Sequence, residues 1–379
     1  MTDIEKKVFE ARERFQKKSG AKLRSAAFRG DDVELSVLLA QGANAREKGA
    51  EALRSAAMAK SAKCVEMLLP KIGADSSAAH AMENALREAA RNGSSEIVAM
   101  ILAFQDGQVG GSCIRESLVL AASLGHARCV EAMIPFAKHL EALSMALRRA
   151  AASGQAECAK LLLPVADHSD NDFEALRYAA RRSVGGSECV ELLLPLAAAM
   201  LPGEEAQNAI NDSAGGAAIN GRDASLALVI PFANQQGRLA AMILAAKNKE
   251  ATALSRLIEA TGVSSDGFEQ AAGEALHWAA LLNNESCVSV LAPVANCKAD
   301  GSLALATAAS GGFDGCVLAL LPWSDPLATR EGELPLDAAG TARAYGQHHT
   351  AELIDAYREQ AELSAHEKPC ASRGSSPRI

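Results

Sequence analysis

Residues Ala146 to Pro164 read ALRRAAASGQAECAKLLLP. Leu147, Ala150 and Ala151 fall at i, i+3 and i+4, the spacing of one face of a short helix. The Ser153-Gly154 pair then stops it. Cys158, Leu161 and Leu162 repeat the spacing on a second helix, and Pro164, which has no amide hydrogen, limits how far that helix runs. The stretch predicts helix, turn, helix, loop. Alanine at the paired positions has a steric meaning, because packed helices lie roughly 8–10 Å apart and small side chains allow the closest approach.

The phrase returns along the chain. Alanine pairs stand at Ala26-Ala27, Ala56-Ala57, Ala89-Ala90, Ala121-Ala122, Ala150-Ala151, Ala179-Ala180, Ala245-Ala246, Ala279-Ala280, Ala308-Ala309 and Ala338-Ala339, separated by 30, 33, 32, 29, 29, 66, 34, 29 and 30 residues. The one double-length gap holds a degenerate copy, AINDSAGGAAINGRDASLALVIP, within an irregular unit at about 201–233. About eleven helix-turn-helix units follow. A repeat of this period means stacked units, none able to bury its apolar face alone. The fold class is therefore an all-α helical repeat solenoid, read as one elongated domain over 21–360.

At this period the pattern resembles the ankyrin repeat, whose first helix opens with T-P-L-H-x-A. The residues that carry the likeness are Leu334-Pro335-Leu336-Asp337-Ala338-Ala339, Ala275-Leu276-His277-Trp278-Ala279-Ala280, Gly125-His126, and the endings Leu38 to Asn44 and Leu257 to Gly262. It extends from about Lys22 to Arg358. Thr-Pro is missing from almost every unit, and Ala-Leu-Arg in its place looks like a derived bacterial branch of the family. A proline follows the leucine run at Pro70, Pro135, Pro164, Pro195, Pro231, Pro293 and Pro322, so the second helices are expected to end early. Tetratricopeptide units need a Trp, Gly and Tyr pattern that a chain with 2 Trp and 3 Tyr does not supply. HEAT and armadillo units are longer than 29 or 30 residues.

Net charge is −8, which argues against generic binding to nucleic acid or anionic membranes, both of which need a basic surface. No stretch approaches 18 uninterrupted apolar residues, so no transmembrane segment is expected. Ile4, Val8, Ala11 and Phe15 make 1–20 a basic amphipathic helix, read as a cap on the stack, with a membrane-surface or translocation element as the alternative. It has no apolar region of the Sec type. Residues 361–379 read as a disordered tail. Cys64, Cys129, Cys158, Cys189, Cys287 and Cys316 share one repeat position before the leucine run, the place of small buried apolar residues. Free thiols suit a reducing compartment, in the producing cell or in a host cell after non-Sec secretion.

Arg24, Arg54, Arg87, Arg148 and Arg177 share another position, either bracing the next unit or binding an acidic partner. Variable residues follow the alanine pairs, on the turn that faces the concave groove in stacks similar to ankyrin repeats. The candidate partner-binding residues are Phe28, Arg29, Arg91, Asn92, Arg181, Arg182, Lys247, Leu281 and Leu282, with Tyr178 and Trp278 just before their pairs as core-edge packing or anchors. No phosphate loop, zinc-hydrolase or nucleophile-elbow motif is present. No catalytic residue, cofactor or metal site is expected. The predicted function is a non-catalytic, monomeric scaffold for a protein partner, as a secreted effector or as a regulator that sequesters an enzyme. The rivals are a structural spacer, and an enzyme whose site uses Glu204, Glu205, Asn208, Asn211, Asp212 and Asp223 around flexible glycines. Gly185-Gly186 and Gly215-Gly216 are placed in turns between helices. In a quasi-one-dimensional stack the degenerate copy should open first among interior units. Hydrogen exchange should show its amides less protected than those of the flanking units, and uniform protection across Leu201 to Ala233 would contradict this.

Overall fold

The computed structural model describes residues 16, 18–73, 76–104, 109–137, 139–329 and 336–366. The capping segment before residue 16, the motif residues Leu334 and Pro335, and Cys370 with the tail beyond His366 lie outside them. The regular structure among the described residues is helical throughout. It divides into two compact bodies, the first ending at Ala209 and the second beginning at Ile210.

The first body contains six helix pairs. They are 18–29 with Asp32–Ala40, Glu47–Met58 with Ala62–Ile72, Ser76–Asn92 with Ser95–Phe104, Gly111–Leu124 with Ala127–Met133, Leu140–Ser153 with Ala156–Leu162, and Asp170–Arg181 with Gly186–Ala198. Five pairs follow: Glu204–Ile219, which carries the boundary, with Asp223–Val229; Gln235–Lys247 with Ala251–Thr261; Phe268–Leu281 with Glu285–Leu291; Ala299–Ser310 with Asp314–Leu320; and Ala338–Ala344 with His348–His366. The last helix runs past residue 361, since its sequence carries no Gly or Pro before Pro369.

Each alanine of the pairs from Ala26-Ala27 to Ala308-Ala309 is fully buried. A fixed turn follows all of them but Ala179-Ala180, where Arg182 N donates to Ala179 O (3.0 Å) and the left-handed residue is Gly185. The carbonyl of the first alanine accepts the amide hydrogen five residues on, as in Asp31 N to Ala26 O (3.0 Å), His126 N to Ala121 O (2.9 Å) and Phe313 N to Ala308 O (3.0 Å). That six-to-one bond needs the residue before the donor in the left-handed region, where glycine is unstrained. Gly30, Gly93, Gly125, Gly154, Gly221 and Gly312 fill the place, whereas Lys60 (φ +57°), Lys249 (φ +67°) and Asn283 (φ +52°) adopt it with a side chain.

The double-length gap is not irregular. Ala217 and Ala218 supply its fully buried pair, Gly221 its turn, and Arg222 N donates to Ala217 O at 2.9 Å. Gly215 and Gly216 lie inside the helix Glu204–Ile219, not in a turn. A Cβ on Gly215 would sit 3.1 Å from the Leu244 side chain, so glycine there admits the neighbouring helix. In the last pair the six-to-one bond runs from Gln347 N to Ala342 O. Ala338-Ala339 therefore stands one helical turn ahead of the register that the repeat implies. Helices do end just before Pro164, Pro231, Pro293 and Pro322, and Pro135 sits in a 3-10 turn. Pro70 and Pro195 lie inside their helices, which continue to bury Ile72 and Ala197.

The cysteine column is buried, and burial pushes the thiols of Cys129, Cys158, Cys287 and Cys316 up to about 11 and that of Cys189 up to about 12. Cys113 and Cys297 are buried as well, donating to the carbonyls of Glu83 and Ala292.

Relief of the left-handed strain makes a prediction. Lys60→Gly and Lys249→Gly should each stabilise the fold by about 0.5–1 kcal/mol. Gly154→Ala should destabilise it by more, because its Cβ would lie 1.9 Å from the Val184 carbonyl oxygen. Chemical denaturation with a common m-value checks the signs.

Candidate partner-binding face

Positions on the first helices are counted here from the first alanine of each pair. Two residues before it stand Arg24, Arg54, Arg87 and Arg148, and each reaches a carboxylate on the next first helix. Arg24 meets Glu47 (3.5 Å) and Glu51 (3.3 Å), Arg54 meets Glu88 (2.9 Å), Arg87 meets Glu116 (3.3 Å), and Arg148 meets Asp170 (3.2 Å) and Glu174 (2.7 Å). Arg177 donates to the Asn171 carbonyl at 2.7 Å. The arginine stripe is a ladder between pairs, with an acceptor at five residues before the alanines in Glu51, Glu116 and Glu174. Exposed pairs of this kind contribute roughly 0.2–1 kcal/mol each.

The candidate residues divide between the bodies. Phe28 is 60% exposed. Arg29 is tied to Ser25 and Glu34. Arg91 has an exposed side chain, while His126 Nε2 lies 3.0 Å from its carbonyl. Asn92 donates to the Met58 carbonyl of the preceding pair (3.4 Å), a bracing contact. Arg181 and Arg182 are exposed, and Tyr178 is 39% exposed. In the second body Leu281 and Leu282 are exposed, and Lys247 and Trp278 come together, with the ammonium 4.3 Å from the ring centroid. Glu274 completes that group, 3.7 Å from Lys247 and accepting from Trp278 Nε1 at 3.2 Å. Glu204, Glu205, Asn208, Asn211 and Asp212 lie on the helix Glu204–Ile219 and Asp223 opens the helix Asp223–Val229, and Asn211 accepts from the Asn234 amide at 3.2 Å.

Residues 118–201 match the family model for ankyrin repeats (3 copies). Residues 118–201 carry ankyrin repeats. The matched stretch spans the pairs from Gly111–Leu124 to Gly186–Ala198, and the same buried alanines and turns recur on either side of it. Among solved structures, the chain is similar to the crystal structure of the human ASB11 ankyrin repeat domain, at 23% identity and a TM-score of 0.37, covering 46% of this chain and 82% of that one. No curated protein matches.

One rung of the ladder is missing between the ankyrin repeats that begin with Gly111–Leu124 and Leu140–Ser153. Val119 stands where the arginine recurs, and Met145 where the glutamate recurs. An open depression of about 770 Å³ lies there, lined by Val119, Leu120, Met145, Arg87, Arg115 and Arg149 among others. Sequence reasoning passed over Arg115, Leu120 and Arg149. The paired loss of both ladder partners at one junction was the signal that marks them.

In the repeat that begins at Asp170, Glu174 accepts from Tyr178 Oη at 2.6 Å and from Arg148 at 2.7 Å. The Tyr178 bond first, then Arg148 and Asn171, lower its carboxyl from 4.5 to about 2, and the same bond raises Tyr178. A carboxyl whose folded value lies below its unfolded value adds stability above about pH 4.5, and that stability is lost as pH falls toward 2. Tyr178→Phe should therefore raise the Glu174 titration midpoint by carboxyl NMR. It should also melt below the native chain at pH 7, with the gap closing between pH 4.5 and 2.

Proposed function

We propose that this chain is a non-catalytic scaffold that binds a partner protein through the exposed face and loops of its first helices. Ankyrin repeats generally mediate protein–protein interaction, and the observation that carries the reading here is a constant buried frame under a changing exposed position. Directly after the fully buried alanines come Phe28, Met58, Arg91, Arg181, Lys247 and Leu281, residues of quite different chemistry at one place in the repeat. A preformed surface of this kind limits the ordering cost of binding. Trp278 over Lys247 and Tyr178 beside Arg148 are rigid aromatics with a cation at hand, the residue types enriched at binding hot spots.

Residues 1–20 cap the stack in this reading. Gln16 supports it by donating to the Gly42 carbonyl and accepting from the Asn44 amide, each at 3.1 Å. Among the described residues no helix is long and apolar enough to cross a membrane. The buried thiols fit a reducing compartment. Both settings share the mechanism: a regulator that sequesters an enzyme within its own cell, and an effector that acts in a host cell.

The test is affinity capture from source cells and from a host, with the native chain beside an Arg91→Glu, Arg181→Glu, Arg182→Glu variant. The expected outcome is a partner held by the native chain and bound at least tenfold more weakly by a variant that melts normally. No saturable partner in either lysate would leave the scaffold reading without support and favour a spacer.

A further inference from the structure

We propose that the missing rung between the Gly111–Leu124 and Leu140–Ser153 repeats is a pocket for one apolar side chain of an acidic peptide segment. The apolar group sits on Val119, Leu120 and Met145, and flanking carboxylates are held by Arg115 and Arg149. This deepens the scaffold reading and rests on it.

Three observations meet at this junction. The ladder position holds arginine in the first, second, third, fifth and sixth repeats, and only the fourth of these six puts an apolar residue there. Its acceptor position on the next helix is lost at the same junction, to Met145. A rung side chain would lie across the gap between the two helices, and with both partners replaced the gap stands open at about 770 Å³. That volume is within the range of about 300–1,000 Å³ typical of ligand pockets.

Charge then selects the occupant. The lining contains Arg87, Arg115 and Arg149 against Glu116, and Glu116 is already matched by Arg87 at 3.3 Å. Neither Arg115 nor Arg149 has a carboxylate within ion-pair distance among the described residues, although Arg149 acts electrostatically on Tyr178. Two uncommitted guanidiniums thus border an apolar floor, in a chain whose net charge is −8. A carboxylate on each side of a Leu, Met or Phe matches that arrangement, since a guanidinium binds carboxylates through paired N–H donors. Nucleic acid fits it less well. The lining has no aromatic side chain on which a base would stack.

The full chain is titrated against a fluorescein-labelled peptide with one central Phe flanked by alternating Glu and Ser, and anisotropy is read at low salt. Controls replace the Phe by Ala, the Glu by Lys, or the peptide by a short single-stranded DNA. The decisive variant is Val119→Arg with Met145→Glu, which rebuilds the rung on the pattern of Arg87 and Glu116 and should melt at or above the native temperature. The proposal expects saturable binding of the acidic Phe peptide, at least fivefold weaker for the Ala peptide, absent for the Lys peptide, and at least tenfold weaker for the rebuilt rung. Arg115→Glu with Arg149→Glu should lose it too. Equal binding by the rebuilt rung, preference for the Lys peptide or the DNA, or no peptide binding by the native chain would overturn it. A lysate partner that the rebuilt-rung variant still captures would leave the scaffold reading standing and remove only this pocket.

Discussion

The packing of one first helix against the next depends on side chains that end at Cβ. With both alanines of a pair fully buried, neighbouring backbones come close enough for the arginine of one repeat to reach the glutamate of the next. The same closeness fixes the turn. The helix has to stop at a set distance past the pair, and the six-to-one bond with its left-handed residue is how it stops. Larger residues at the pair would push the helices apart and strand the ladder, because cores of this density do not absorb added methylenes without strain.

Much of this frame was legible in the sequence because it is local. The alanine pairs, the leucine runs and the cysteine column each repeat at a fixed offset, and each occupies the buried position that offset implies. The double-length gap misled for the opposite reason: Gly215 and Gly216 look like turn residues by type, but their role is set by Leu244 on the following first helix. Ala338-Ala339 looked like another pair, yet the position of Gly346 and its turn puts Ala342 in that place. Pro70 and Pro195 were tolerated in their helices because each lies close to the end and buried side chains follow.

The exposed face was less legible. The arginine stripe could be seen, but its partners are 22 to 34 residues further on, and nothing local says whether an arginine points to a neighbour or to solvent. Only the three-dimensional neighbourhood shows Arg24, Arg54, Arg87 and Arg148 bracing the next repeat and Asn92 tied to Met58. The same neighbourhood gives meaning to Val119 and Met145. Each is an unremarkable apolar residue by itself, and they count as a pair only once the two helices lie side by side.

The column of buried thiols has a practical meaning beyond packing. A thiol whose pKa is near 11 is ionised in only about one molecule in ten thousand at neutral pH, and the thiolate is the reacting form. Cys129, Cys158, Cys189, Cys287 and Cys316 are therefore chemically silent while their repeats are closed. A repeat that loosens exposes its own sulfur, at its own place in the chain. Alkylation followed by peptide mapping would thus report which segment breathes and how often, so the protein carries a built-in gauge of its local motions.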